Sequence, residues 1–407
     1  MTDVDLHSPA FMANPFPGYA ALRRESPVHH VAGPMGLGMW LITRHDDARA
    51  VLTDPRFSKN VRLAPDWLKV MGGGQGDEGL LGANMLNMDP PDHTRVRGLV
   101  VKAFSRRRME ALRPRVQQIT DSLLDEVAQA DSFDLIPTLA VPLPIIVICE
   151  LLGIPVSDRT DFRRWTQMVL TPPLSPEAIA IRKDGNRAME DYLTALLAER
   201  RARVNAGVDA DAQPDMLDAL LVASAEEGVL AVRELIGTVK LLLVAGQNAG
   251  NLVGNGMLAL LTHPDQLEAL RDDPALLPGA IEELLRYDGP IERALPRFTT
   301  EDVEVGGVRI PAGSAVAVVL SSASHDTGAE HPERLDITRE ESAHLAFGGG
   351  IHYCLGAPLA RIEGQIAIGT VLRRFPAIKI AADAAELKWT GRGLNFIRGL
   401  VSLPVAV

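Results

Sequence analysis

The chain has two cysteines, Cys149 and Cys354, and their sequence surroundings differ in kind. Cys149 follows the apolar run Ile145-Ile146-Val147-Ile148, where a thiol behaves as a small buried hydrophobe. Cys354 lies in Phe347-Gly348-Gly349-Gly350-Ile351-His352-Tyr353-Cys354-Leu355-Gly356, followed by Ala357-Pro358-Leu359-Ala360-Arg361 and a long apolar-periodic run. Glycines give such a loop positive-φ conformations and let its backbone approach a flat ligand, with N–H groups left to point at a sulfur. Pro358 suits the first turn of a helix, which sets Cys354 at the positive end of that helix's macrodipole. That position favours thiolate over thiol. Three uses compete. A cysteine after a glycine turn can be plain buried core. As a hydrolytic nucleophile it needs an oriented histidine base, and His352, close in sequence, has no acid beside it. As the axial ligand of a haem iron, a thiolate pushes electron density toward bound oxygen and favours O–O cleavage.

The elements that must hold this loop are mostly helices. Helical periodicity covers Arg107 to Ala128, Ala178 to Val204, Val232 to Leu261 and Ala280 to Tyr287, with a shorter helix at Asp46 to Leu52. Val28 to Val31 and Met39 to Thr43 flank a glycine-rich turn, as a β-hairpin would. Short strands return at Val303 to Ile310 and Ala315 to Leu320. Gly72, Gly73, Gly74 and Gly76 open a long loop reaching Asp89, the place for a substrate lid. Thr171 to Pro176 and the polar stretch Asn205 to Pro214 are breaks between helices. No repeat, low-complexity tract or linker divides the sequence, so one compact domain over residues 1–407, mainly α with minor β sheets, is expected.

Charge and composition exclude some functions. A formal net charge of -11 argues against a nucleic-acid binder. Two distant cysteines give no disulfide framework and fit a reducing compartment. Met1 to Asn14 lacks a basic segment followed by an apolar one, and no uninterrupted apolar run is long enough to cross a bilayer. A cytoplasmic protein with no membrane partner is expected.

The cysteine loop resembles the haem-binding loop of the cytochrome P-450 family, F-x-x-G-x-x-x-C-x-G, with every fixed position filled by Phe347, Gly350, Cys354 and Gly356. The likeness extends from the hairpin and Asp54-Pro55-Arg56-Phe57-Ser58 to the last strands, and looks like the soluble bacterial branch. It implies the cytochrome P-450 fold, haem b (iron protoporphyrin IX) as cofactor and Cys354 as the metal ligand. Phe347, Gly348, Gly356 and Ala245 would line the haem, and His93, Arg97, Arg297 and His352 would hold its propionates, which need charged donors. Glu283 and Arg286, three apart on one helix face, resemble the family's E-x-x-R pair. Arg334, in Pro332-Glu333-Arg334-Leu335, resembles the second arginine of that structural lock, with leucine replacing the usual aromatic.

One departure bears on the reaction. Where the family carries A-G-x-(D/E)-T, this chain reads Ala245-Gly246-Gln247-Asn248-Ala249. Ala245 and Gly246 keep room for oxygen. Asn248 cannot act as a general acid, and Ala249 cannot hydrogen-bond to oxygen. Protons must then come through water held by Asn248 or Gln247, or from the substrate. Alternatively the enzyme couples radicals without inserting oxygen, or the chain is a silent member that only binds a partner. By the same resemblance the substrate pocket draws on Asn84, Met85, Leu86, Val244, Ile291, Ala294, Leu295 and Phe396, which suits a mid-sized, natural-product-like molecule. No reductase domain is read in the sequence, so a separate small electron carrier, an acidic ferredoxin or similar, is expected. It would be steered by Arg95, Lys102, Arg106, Arg107, Arg108 and Arg361, with the chain acting as a monomer.

Overall fold

The computed structural model describes all residues except 1–3, 7, 32–37, 72–80, 172–174, 206–214, 228–229, 341 and 391–396. The chain falls into two compact units. The first comprises Met1–Phe57, Glu110–Pro144 and Asn248–Val407, and the second Ser58–Met109 and Ile145–Gln247.

In the first unit the expected hairpin forms, with Val28–Val31 antiparallel to Met39–Ile42 in the register Val28 to Ile42. Met39–Ile42 pairs in parallel with Ala315–Val318, which in turn pairs antiparallel with Arg297–Thr299. These strands belong to a five-stranded sheet with Phe57–Ser58 at its edge. Val28, Ile42, Val51, Leu52, Val316 and Val318 form a core beneath it. Four helices complete the part that matters here: Arg113–Asp125, Ala249–Thr262, Leu277–Asp288 and Ala357–Arg374. Ala357–Arg374 packs against the other three, so it buries residues around most of its circumference, among them Leu359, Ile362, Ala367, Ile368 and Val371. Small residues bring the helices close. A Cβ on Gly364 would stand 3.0 Å from Leu252 and 3.3 Å from Ile281, and one on Gly256 would stand 3.1 Å from Ile368.

The second unit is helical, with Asp92–Ala103, Arg159–Leu170, Pro176–Asn205, Met216–Glu227 and Val232–Gly246. Rings of Phe162, Trp165 and Tyr192 pack edge to face between two of these helices. Gly237 lies where any Cβ would collide with the carbonyl oxygen of Ala83, so the helix Val232–Gly246 rests directly on the backbone of the Gly82–Asn87 segment.

Two expected helices are broken. The Arg107 to Ala128 pattern forms Arg106–Ala111 and Arg113–Asp125, because Pro114 has no N–H to give and fits only a first turn. The Val232 to Leu261 pattern forms Val232–Gly246 and Ala249–Thr262, with Gln247 and Asn248 as a turn between them. Most of the expected lid, Gly72 to Leu80, lies outside the described residues.

Candidate haem-ligand site

The loop before Ala357–Arg374 is shaped by its glycines. Gly348 and Gly350 have φ of 70° and 65°, a region where side chains are strained. At Gly350 a Cβ would also come within 2.5 Å of the Leu52 carbonyl oxygen. The loop closes on itself, since the amide of Cys354 donates to the carbonyl of Phe347 at 3.0 Å and that of Gly348 to Leu345 at 2.8 Å. Gly356 is the N-cap of the following 18-residue helix, with Pro358 in its first turn. Cys354 is therefore presented two residues ahead of the cap, where the helix macrodipole favours a negative sulfur. Its side chain is exposed, whereas Cys149 is buried. Burial pushes the Cys149 thiol up to about 12, so it is inert at neutral pH.

Among the described residues no cluster of three or more His, Cys, Asp and Glu side chains could hold a metal ion. A metal at Cys354 must bring its remaining ligands with it, as iron in a porphyrin does. Within each unit the donor types suit the carboxylates of that group. In the first unit Arg297 is only 5 % exposed, on a strand paired to Ala315–Val318, and His352 is half-buried in the cysteine loop. In the second unit His93 and Arg97 share one face of Asp92–Ala103. Burial and the Arg97 charge both lower the pKa of His93.

Behind the loop, Arg286 grips Glu283 with two bonds of 2.7 Å, both side chains fully buried. Arg286 also donates to the carbonyls of Pro332 at 2.5 Å and Arg334 at 2.9 Å, and Glu283 accepts from the amide of Asp336 and the hydroxyl of Ser342. Arg334 thus takes part through its backbone, and its residue is exposed. The second guanidinium beside Glu283 is that of Arg339, at 3.5 Å. The expected pattern picked the wrong arginine because the chain turns between Arg334 and Arg339, and only the latter's side chain is turned inward.

Two members of the expected basic patch are also committed elsewhere. Arg95 is bidentate to Glu234 at 2.6 and 3.0 Å and reaches Asp92, which raises its pKa and lowers that of Glu234. Arg361 is bidentate to Glu282 at 2.7 Å on both bonds. Lys102 and Arg107 are exposed, Arg108 is half-buried, and the side chain of Arg106 lies outside the described residues.

Of the residues expected opposite the thiolate, Ala245 is exposed, Gly246, Gln247 and Asn248 are half-buried and Ala249 is buried. A Cβ on Gly246 would meet Ile148 at 3.1 Å. The missing side chain there makes room for that packing. Asn248 precedes Ala249–Thr262 without capping it by its side chain, and the amide of Asn251 donates to the Asn248 carbonyl at 3.1 Å. Gly250 fixes the start of that helix, since a Cβ there would collide with the Ala140 carbonyl oxygen.

The expected pocket residues divide between the units. In the second, Met85 and Val244 are buried and Leu86 is half-buried. Asn84 is fully buried, and its amide is spent on its own turn, donating to the Gly82 carbonyl at 2.8 Å and accepting from the Leu86 amide at 3.0 Å. In the first unit, Ile291 and Ala294 pack on the sheet core and Leu295 is exposed. Phe396 lies outside the described residues. Glu363 escaped the sequence reading. It is 2 % exposed inside Ala357–Arg374, its Oε2 has no hydrogen-bond partner among the described residues, and burial pushes its carboxyl up to about 8.

The family model described as Cytochrome P-450 matches residues 156–388. The chain is 48 % identical over 391 residues to cytochrome P-450 107B1 of Saccharopolyspora erythraea, covering 95 % of this chain and 93 % of the relative. It is 46 % identical over 401 residues to the cytochrome P-450 monooxygenase PikC of Streptomyces venezuelae, covering 97 % and 91 %. Among solved structures it is similar to CxnD, the cytochrome P-450 enzyme for C–S bond formation in chuangxinmycin biosynthesis. That likeness has a TM-score of 0.88 and 37 % identity, and covers 98 % of this chain and 95 % of the other.

Proposed function

Because this chain belongs to the cytochrome P-450 family, and so is an oxidoreductase that binds haem b, we propose that it oxidises a mid-sized, natural-product-like small molecule with Cys354 as the iron ligand. The observation that carries this is the exposed Cys354 at the head of Ala357–Arg374, held by a loop in which Gly348 and Gly350 take positive φ and Gly350 leaves no space for a side chain. Bound haem supplies activation of dioxygen, and the protein supplies orientation, axial tuning and protons. His93, Arg97, Arg297 and His352 would hold the propionates, and residues 1–407 would act as one haem-thiolate domain and as a monomer. No helix among the described residues is long and apolar enough to cross a membrane, in keeping with a cytoplasmic place.

Proton supply is the distinctive point. Neither Asn248 nor Ala249 can relay a proton, so ordered water held by the Gln247 and Asn248 amides, or a polar group of the substrate, must do so. In support of this reading, Gln247 and Asn248 are both half-buried and stand at the turn between Val232–Gly246 and Ala249–Thr262. Hydroxylation or epoxidation follows, with electrons from a separate acidic ferredoxin. The second reading, radical coupling with no oxygen entering the product, is favoured by the same missing relay and by the likeness to an enzyme for C–S bond formation. A silent binding role would not need Cys354 or the buried Glu283–Arg286 pair, both of which are in place. Turnover under isotopically labelled dioxygen tests the choice. Label in the product supports oxygen insertion, and an unlabelled product of coupled mass overturns it in favour of coupling.

A further inference from the structure

Glu282, next to the Glu283 lock, serves a separate network around the cysteine loop. Its carboxylate accepts Nε and Nη2 of Arg361 at 2.7 Å each and Nε2 of His344 at 3.1 Å. His344 Nδ1 accepts the amide of Ala346 at 3.1 Å, which fixes the ring proton on Nε2, pointing at Glu282. The guanidinium of Arg361 also lies 4.6 Å from the centre of the Phe347 ring, and that ring meets those of His344 and Tyr353 at 5.9 and 6.3 Å. Burial opposes ionisation of Glu282, but Arg361 and His344 outweigh it and hold the carboxyl down at about 2.

The segment ahead of Cys354, from His344 to Phe347, and the helix behind it, from Arg361, are thus tied to one carboxylate supplied by a third element, Leu277–Asp288. Phe347 passes the restraint on, because its carbonyl receives the Cys354 amide. We propose that Arg361, Glu282 and His344 are positioning residues that clamp the loop and fix where the Cys354 sulfur is held. Arg361 then belongs to thiolate placement and not to docking of an electron carrier. The fork geometry matters, since a bidentate guanidinium can grip the carboxylate and lie on a ring face together, which a lysine cannot reproduce.

The proposal rests on Cys354 being the iron ligand, and two readouts keep the two claims apart. In the haem-loaded protein, hydrogen exchange of the peptide spanning residues 344–356 should rise about tenfold in Arg361→Gln and in the milder Glu282→Gln, while exchange in Arg159–Leu170 stays at the wild-type rate. The ferrous carbon monoxide complex should convert faster from its thiolate-ligated band to the band of the form without thiolate. Arg361→Lys should restore only part of either effect. Exchange that rises equally in both regions, or a full rescue by lysine, overturns the clamp. If Arg361→Gln does not load haem, Glu282→Gln decides by the same criteria. A wild-type protein with no thiolate band would instead overturn the ligand assignment, whatever the exchange shows.

Discussion

Glu363 is the residue whose environment makes the sharpest solution prediction. Burial alone raises its carboxyl from the ordinary 4.5 to about 8, so the folded chain holds that proton more tightly than the unfolded one. Between those values the folded state binds more protons, and stability must fall as pH rises from about 4.5 to about 8, then level off. Glu363→Gln should remove this slope, about 1.4 kcal/mol per pH unit for one proton, as read from urea unfolding across that range. Equal slopes in the two proteins would refute it. The local geometry around Cys354 was readable from sequence, since glycines, a proline and a helix start all lie within a dozen positions. Arg339 was not, because the inward turn of its side chain depends on the path of the chain after Pro332. Glu282 was equally hidden, being one more acid on a helix until its partners arrive from His344 and Arg361.

At the scale of elements, contacts between glycine and backbone set how closely segments approach. Gly237→Ala should destabilise the protein by about 1–3 kcal/mol, because a methyl group there meets the Ala83 carbonyl and backbone cannot swing aside as a side chain can. The urea midpoint measures this, and an unchanged midpoint would show that the Gly82–Asn87 segment yields freely. The strands and most helices were legible from period and punctuation, since Val28–Val31, Met39–Ile42 and Ala315–Val318 are short apolar runs bounded by turn residues. The turn at Gln247–Asn248 was not, because apolar residues continue at helical spacing on both sides and hide the lapse in hydrogen bonding. The packing of Ile148 against Gly246 was hidden for a related reason: a small residue signals close approach without saying what approaches.

At the scale of the whole molecule, the proposed transfer of electrons from an acidic carrier to this acidic chain would need local positive charge. Arg95 and Arg361 spend theirs on Glu234 and Glu282. Lys102 and Arg107 are exposed, and Lys102→Gln with Arg107→Gln should slow reduction by an acidic ferredoxin several-fold at low salt, with the difference shrinking as salt rises. Arg95→Gln should instead lower the urea midpoint, because it strands the largely buried Glu234, and should leave the salt dependence of reduction as it was. A steeper loss of rate for Arg95→Gln than for the double variant would reverse this assignment. The central claim, ligation of haem iron by Cys354, is tested most directly by the spectrum of the reduced protein under carbon monoxide. The wild type should show the band of sulfur ligation and Cys354→Ser should lose it; a wild type without that band, or a serine variant that keeps it, would contradict the account.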